Sequence, residues 1–213
     1  VNKIVDIGHK PAPKPENEDA RLNDLENLKI IEENISKSKR FSSFPKLAAT
    51  LTECDKAAIN IVDETTQHCK VNFGMDAMEN MMTKEIPREL SVCAHVLNND
   101  SDSLVINDLT KDDRTKHVFE LNNPIINSTF PRFYAGSPII TSNGYILGSF
   151  CVFNSKPKSL DSSKVEGLRM LADQFIDLYE STRSDYQRGV EDQSLSQEKI
   201  KGEYYSSSTI LFC

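Results

Sequence analysis

Three features of the sequence predict an α+β fold in which helices pack against a mixed, mainly antiparallel sheet. Apolar runs on either side of a polar turn make one hairpin over Ala57–Phe73, and a second pair flanks Ser142-Asn143-Gly144. Helical periodicity brackets both hairpins, from Asn17 on one side and from Asp161 on the other. A short strand between the hairpins completes a sheet that buries one or both faces against helices.

Taken in order, residues 1–16 place Pro11, Pro13 and Pro15 among Ala and Lys, a composition that favours an extended linker. Asn17 suits an N-cap, and Leu22, Leu25, Leu28, Ile31 and Ile35 recur at helical spacing, predicting an amphipathic helix. A second short helix is expected to carry Phe44, Leu47, Ala48 and Leu51, with Pro45 in its first turn.

Ala57–Asp63 reads as an apolar strand, Glu64–Gln67 as a turn, and His68–Phe73 as an alternating strand ending at Gly74. The methionine-bearing stretch from Met75 to Pro87 has no clean period and is expected as a loop or short helical excursion. Glu89–Leu97 is predicted helical, and Ser103–Ile106 a short strand closed by Asn107-Asp108. Arg132–Thr141 and Tyr145–Asn154 are the strongest strands, joined through Asn143-Gly144, whose residues tolerate positive φ. The last helix starts at Asp161, carries Val165, Leu168, Ala172, Phe175 and Tyr179 on one face, and is expected to reach as far as Arg188.

A chain of 213 residues holds one core with appended segments: a linker over 1–16, a domain over 17–188 and a polar tail over 189–213. A net charge of -7 and the lack of a basic cluster argue against nucleic-acid binding. No run approaches the roughly 18 apolar residues that cross a bilayer, so the expected location is the cytoplasm. The five cysteines form no C-x-x-C pair, and four lie in apolar surroundings, which suits free thiols of a reducing compartment.

Several segments resemble the GAF family in their order and spacing. They are Glu18-Asp19-Ala20-Arg21-Leu22, Leu47-Ala48-Ala49, Ile61-Val62-Asp63, and Pro87 through His95 with its Ser91-Val92-Cys93-Ala94-His95 core. Downstream come Asp108 with Asp113-Arg114, Arg132 through Pro138, Asn143-Gly144 with Gly148, and Cys151 through Asn154 before Pro157. The resemblance implies a central antiparallel sheet of five to six strands, helices on one face, and a ligand cavity between the other face and its loops. It further implies amphipathic terminal helices that pair into a dimer and signal to an output partner, as in the sensory GAF domains of histidine kinases and cyclase-like proteins. Two departures concern the pocket floor: Gln67-His68-Cys69 lacks the aromatic pair often found there, and Thr115 stands where Phe often follows Asp-Arg.

Catalytic signatures are sparse. There is no phosphate-cradling glycine loop, zinc helix or nucleophile elbow, and the four histidines make no metal spacing. The Asn-Lys pair expected of cyclic-nucleotide-binding members falls at Asn2-Lys3 in the lead-in, while Asp63-Glu64 lies in a hairpin turn. A bilin attachment resembling the family's would put His directly after Cys, whereas here Ala94 separates Cys93 from His95, about 100° per residue around a helix. Haem ligation by His95 or His117 lacks a marked apolar slot. The family's free methionine-R-sulfoxide reductases use cysteine nucleophiles in a loop motif that these cysteines do not match.

The expectation is a non-catalytic regulatory module that binds a small ligand or protein partner, its cofactor unspecified. The resemblance draws the pocket's polar residues from His95, Asp108, Arg114, Arg132 and Tyr134: arginine clamps a carboxylate or phosphate, and tyrosine adds a directional hydrogen bond. The competing structural role is a pairing of Arg132 or Arg114 with Asp108 that holds the loops together.

Overall fold

A computed structural model describes residues 10–99, 102–120 and 130–208, with backbone alone at 120 and at 189–208. The lead-in before residue 10, Asn2-Lys3 and the apolar end Thr209–Cys213 lie outside the described residues. The order is α1 (Glu18–Leu28), α2 (Lys39–Thr52), β1 (Lys56–Val62), β2 (Thr66–Phe73), α3 (Ala77–Thr83), β3 (Glu85–Pro87), β4 (Leu104–Ile106), α4 (Lys116–Glu120), β5 (Phe133–Ile140), β6 (Ile146–Asn154) and α5 (Ser162–Ser208). The chain divides into a compact unit through Ile176 and a second unit from Asp177, where the backbone of α5 continues helical beyond the expected end at Arg188.

The six strands run β3-β2-β1-β6-β5-β4, every neighbouring pair antiparallel. The two predicted hairpins meet at the centre, where β1 pairs β6 with Ala58 opposite Cys151 and Asn60 opposite Ser149. Both central strands are buried on both faces, so their sequences read as continuous apolar runs instead of alternating ones.

One sheet face carries the helices. Phe41 and Phe44 of α2 make edge contacts with Phe175 of α5, at ring-centroid distances of 5.8 and 5.9 Å, and Phe44 also meets Phe150 of β6. The α2 helix begins at Lys39, so Pro45 sits in its interior, not in its first turn; the ring is buried against the core, and the helix forgoes one backbone donor there.

Helix α1 is shorter than predicted and turned differently. It ends where Lys29 adopts φ 53, leaving Ile31 and Ile35 outside it, and its buried residues are Glu18, Arg21, Asp24 and Leu25. The polar face is inward because the hairpin turns beneath it present backbone and hydroxyl groups that need partners. Arg21 donates to the carbonyls of Val62 and Asp63 beside the first turn, and Asp24 accepts from Thr141 and Asn143 at the second, both at 2.7 Å.

Other segments refine the prediction. The Met75–Pro87 stretch folds as α3, opened by a capping box between Asp76 and Glu79, and then as edge strand β3. The predicted helix over Glu89–Leu97 is instead two 3-10 turns, Arg88–Leu90 and Cys93–Asn98. In the β5–β6 turn Gly144 alone takes positive φ; its N–H donates to Thr141 and Thr141 N–H to Tyr145, the pattern of a three-residue loop with a glycine bulge.

Candidate functional site

The sheet face opposite α2 and α5 is defined by alternation. Ala58 and Asn60 of β1, Tyr134 and Gly136 of β5, and Ser149 and Cys151 of β6 share it by register. Leu104 and Ile106 of β4 extend it, and Cys93, Val96 and Leu109 cover it, forming one buried cluster with Tyr134 and Cys151. The cover is the Cys93–Asn98 turn, whose other residues Ala94 and Leu97 pack on Val62. That turn is in turn tied to the lead-in: His95 Nε2 lies 3.1 Å from the Lys10 carbonyl, and Asn98 donates to Pro13.

Inside this layer lies a polar and thiol network. Tyr134 hydroxyl and Ser149 hydroxyl are 3.0 Å apart, and Gly136 makes room for them, because a Cβ there would overlap both oxygens. Asn60 Nδ2 donates to the sulfurs of Cys93 and Cys151 at 3.3 and 3.2 Å, while its Oδ1 is buried without a partner among the described residues. The two sulfurs are 3.8 Å apart. Burial opposes ionisation of Cys93, but hydrogen bonds from Cys151, Tyr134, Asn60 and Ser149 outweigh it and hold that thiol below its usual range. Burial and the neighbouring Cys93 push Cys151 well above it.

The rim is ionic. Asp108 follows β4 and accepts from Thr110 N–H and hydroxyl and from Arg132, whose Nη2 is 3.2 Å away. Arg114 does not reach that group; it grips Asp112 through two parallel bonds of 2.8 and 2.7 Å, which lower the Asp112 carboxyl. Asp113 pairs separately with Lys116, so the adjacent carboxylates serve two cations instead of sharing one site. Beside the rim, Val105–Asp108, Lys111, Asp112 and Pro157–Ser159 line an open depression of about 600 Å³.

The five residues read from the sequence are thus only partly brought together. Asp108 and Arg132 are joined; Arg114 pairs with Asp112 and interacts electrostatically with Tyr134 of the buried network; and His95, tied to the lead-in, interacts electrostatically with Asp112. Sequence reasoning missed Asn60 and Ser149, and it read Cys93 and Cys151 as core thiols without placing them against each other. The available signal was Asn60, a lone amide in the apolar run Ala57–Val62.

This architecture recurs in solved structures. The PixJ GAF domain of Thermosynechococcus elongatus matches with a TM-score of 0.55 at 12% identity, over 81% of this chain and 94% of that one. The GAF domain of an Acinetobacter phosphoenolpyruvate-protein phosphotransferase matches with a TM-score of 0.54 at 14% identity, over 78% and 95%. A domain of a two-component sensor histidine kinase from Sinorhizobium meliloti matches with a TM-score of 0.53 at 13% identity, over 71% and 97%. In sequence, a cyclic di-GMP phosphodiesterase of Pseudomonas aeruginosa is 29% identical over 148 residues, 68% of this chain, and the match spans 23% of that protein's length. The GAF domain model itself matches residues 40–176, and the chain belongs to the GAF domain family.

Proposed function

We propose that this chain is a non-catalytic regulatory module that binds a small polar metabolite or a partner's polar side chains at the Asp108–Arg132 rim. The observation that carries the reading is the depression of about 600 Å³ lined by Asp108, the partner of Arg132, within the size of small-molecule sites, with Lys111, Lys158, Asp108 and Asp112 presenting both charge signs. An arginine already oriented by Asp108 and Thr110 loses little freedom on meeting a carboxylate or phosphate. The Pseudomonas relative, in which the matched part is a minor portion of an enzyme, supports the regulatory role.

Output runs through the helices. Leu47 and Leu51 of α2 and Met170 of α5 are 54, 41 and 59% exposed, and Leu51 packs against Gly167, so the three form one apolar strip on the helical face. A second copy of the chain is the proposed partner for it.

The test is a thermal-shift and native mass spectrometry screen against small anionic and zwitterionic metabolites. A bound mass and a stabilisation that Arg132→Ala abolishes are expected. Stabilisation that persists in Arg132→Ala, or no binding across the panel, refutes the rim site.

A further inference from the structure

We propose that Cys93 and Cys151 form an oxidant-reactive dithiol, which small hydroperoxides convert to an intramolecular disulfide stapling the Cys93–Asn98 turn to β6. The inference stands apart from the ligand reading, since it concerns the buried floor and not the rim.

The geometry is that of two thiols poised but unbonded. Their sulfurs are 3.8 Å apart, both are buried, and they belong to segments 58 residues apart in the chain. A disulfide needs about 2.05 Å, so its formation draws the Cys93–Asn98 turn and β6 closer together than the 3.8 Å thiol contact. The surroundings also favour charge on sulfur: Asn60 presents its NH2 to both, and Tyr134 and Ser149 add hydroxyls. Cys151 keeps its proton, with the Ala58 carbonyl 3.4 Å from its sulfur.

Position assigns the roles: Cys93 lies in the covering turn, whereas Cys151, on central strand β6, has the Ala58 carbonyl as acceptor for its proton. Cys93 thiolate attacks the peroxide, forming an S–O bond as the O–O bond breaks, and the departing hydroxide takes a proton to leave as water. Cys151 then attacks the sulfenic sulfur; the S–S bond forms, the S–O bond breaks, and the oxygen leaves with the Cys151 proton as a second water. The net change is two thiols and one hydroperoxide giving one disulfide and, for hydrogen peroxide, two waters. The other described cysteines are placed differently: Cys54 lies by Thr52 at the end of α2, and burial raises Cys69 to about 11. Because the same turn carries His95 and Asn98, which hold the lead-in, oxidation would be transmitted to the N-terminal segment.

The experiment treats the purified full chain with hydrogen peroxide, alkylates residual thiols, digests without reductant and maps the peptides by mass spectrometry. The expected result is a Cys93–Cys151 cross-linked pair that dithiothreitol releases, with Cys54 and Cys69 alkylated. Recovery of Cys93 and Cys151 as alkylated thiols under peroxide excess, or of Cys93 joined to another cysteine, overturns the proposal. In Cys151→Ala, dimedone should trap a Cys93 sulfenic acid; a folded variant giving no adduct also overturns it. Should that variant fail to fold by circular dichroism, the cross-link map of the unaltered chain decides.

Discussion

The guanidinium of Arg21, in α1, donates to the main-chain carbonyl of Val62, the last residue of β1, at 2.6 Å. The same side chain holds Glu18, which also receives Arg88, so three buried charged residues lock α1 to the first hairpin. Replacing Arg21 by Ala leaves the carbonyl without its donor and Glu18 with one cation. A loss of about 3 kcal/mol is expected, measured by urea unfolding.

The same cluster sets an acid limit. Burial opposes charge on Glu18, yet the hydrogen bonds and charges of Arg21 and Arg88 lower its carboxyl from 4.5 to about 2. Because the folded value lies below the unfolded one, the stabilisation is fully present above about pH 4.5 and is lost as pH falls towards 2. Glu18→Gln should remove up to about 3 kcal/mol of stability at neutral pH and flatten the acid limb of the stability profile.

Two glycines separate space from conformation. A Cβ at Gly148 would overlap the Asn60 carbonyl and come within 2.9 Å of Ile61 Cα, both backbone and neither able to yield. Gly148→Ala should cost about 2–4 kcal/mol. At Gly144 the space is open but φ is 84, so Gly144→Ala should cost about 1 kcal/mol. Thermal unfolding of the two variants ranks the effects.

At the rim, Asp108 is largely enclosed but Arg132 is 37% exposed, so their coupling is modest. A double-mutant cycle of Asp108→Ala with Arg132→Ala should return about 0.5–1 kcal/mol. The single Asp108→Ala change should exceed Arg132→Ala, because it also strips Thr110 of its acceptor.

On the helical face, Leu47→Glu combined with Met170→Glu places charges on the proposed contact between copies. Sedimentation velocity should show a dimer in the unaltered chain and a monomer in the variant, with circular dichroism unchanged.

The hairpins, their centres and the closing helix were legible because their signals are local. Apolar runs bounded by Asp63-Glu64 and by Asn143-Gly144 define strands whatever surrounds them, and the spacing of Leu168, Ala172 and Phe175 defines a buried helical face. Strand β3 was not legible: Glu85–Pro87 is three residues long, and an edge strand takes its identity from the Thr66–His68 segment it pairs with. The inward face of α1 was misjudged for a related reason. Glu18, Arg21 and Asp24 do share one helical side, but charge normally marks solvent, and its burial becomes favourable when hairpin carbonyls and hydroxyls stand opposite.

By itself, then, the sequence determined the two hairpins, the short strand between them, the closing helix and the family resemblance, since backbone hydrogen bonding and apolar periodicity repeat within a few residues. Tertiary structure alone decided how the polar residues are grouped. It gave Arg132 rather than Arg114 to Asp108, tied His95 to the lead-in, and brought Cys93, Asn60 and Cys151 from three distant segments into one buried contact. Side-chain partners of that kind are set by distances of a few ångströms between segments far apart in the chain, and no local pattern encodes such distances.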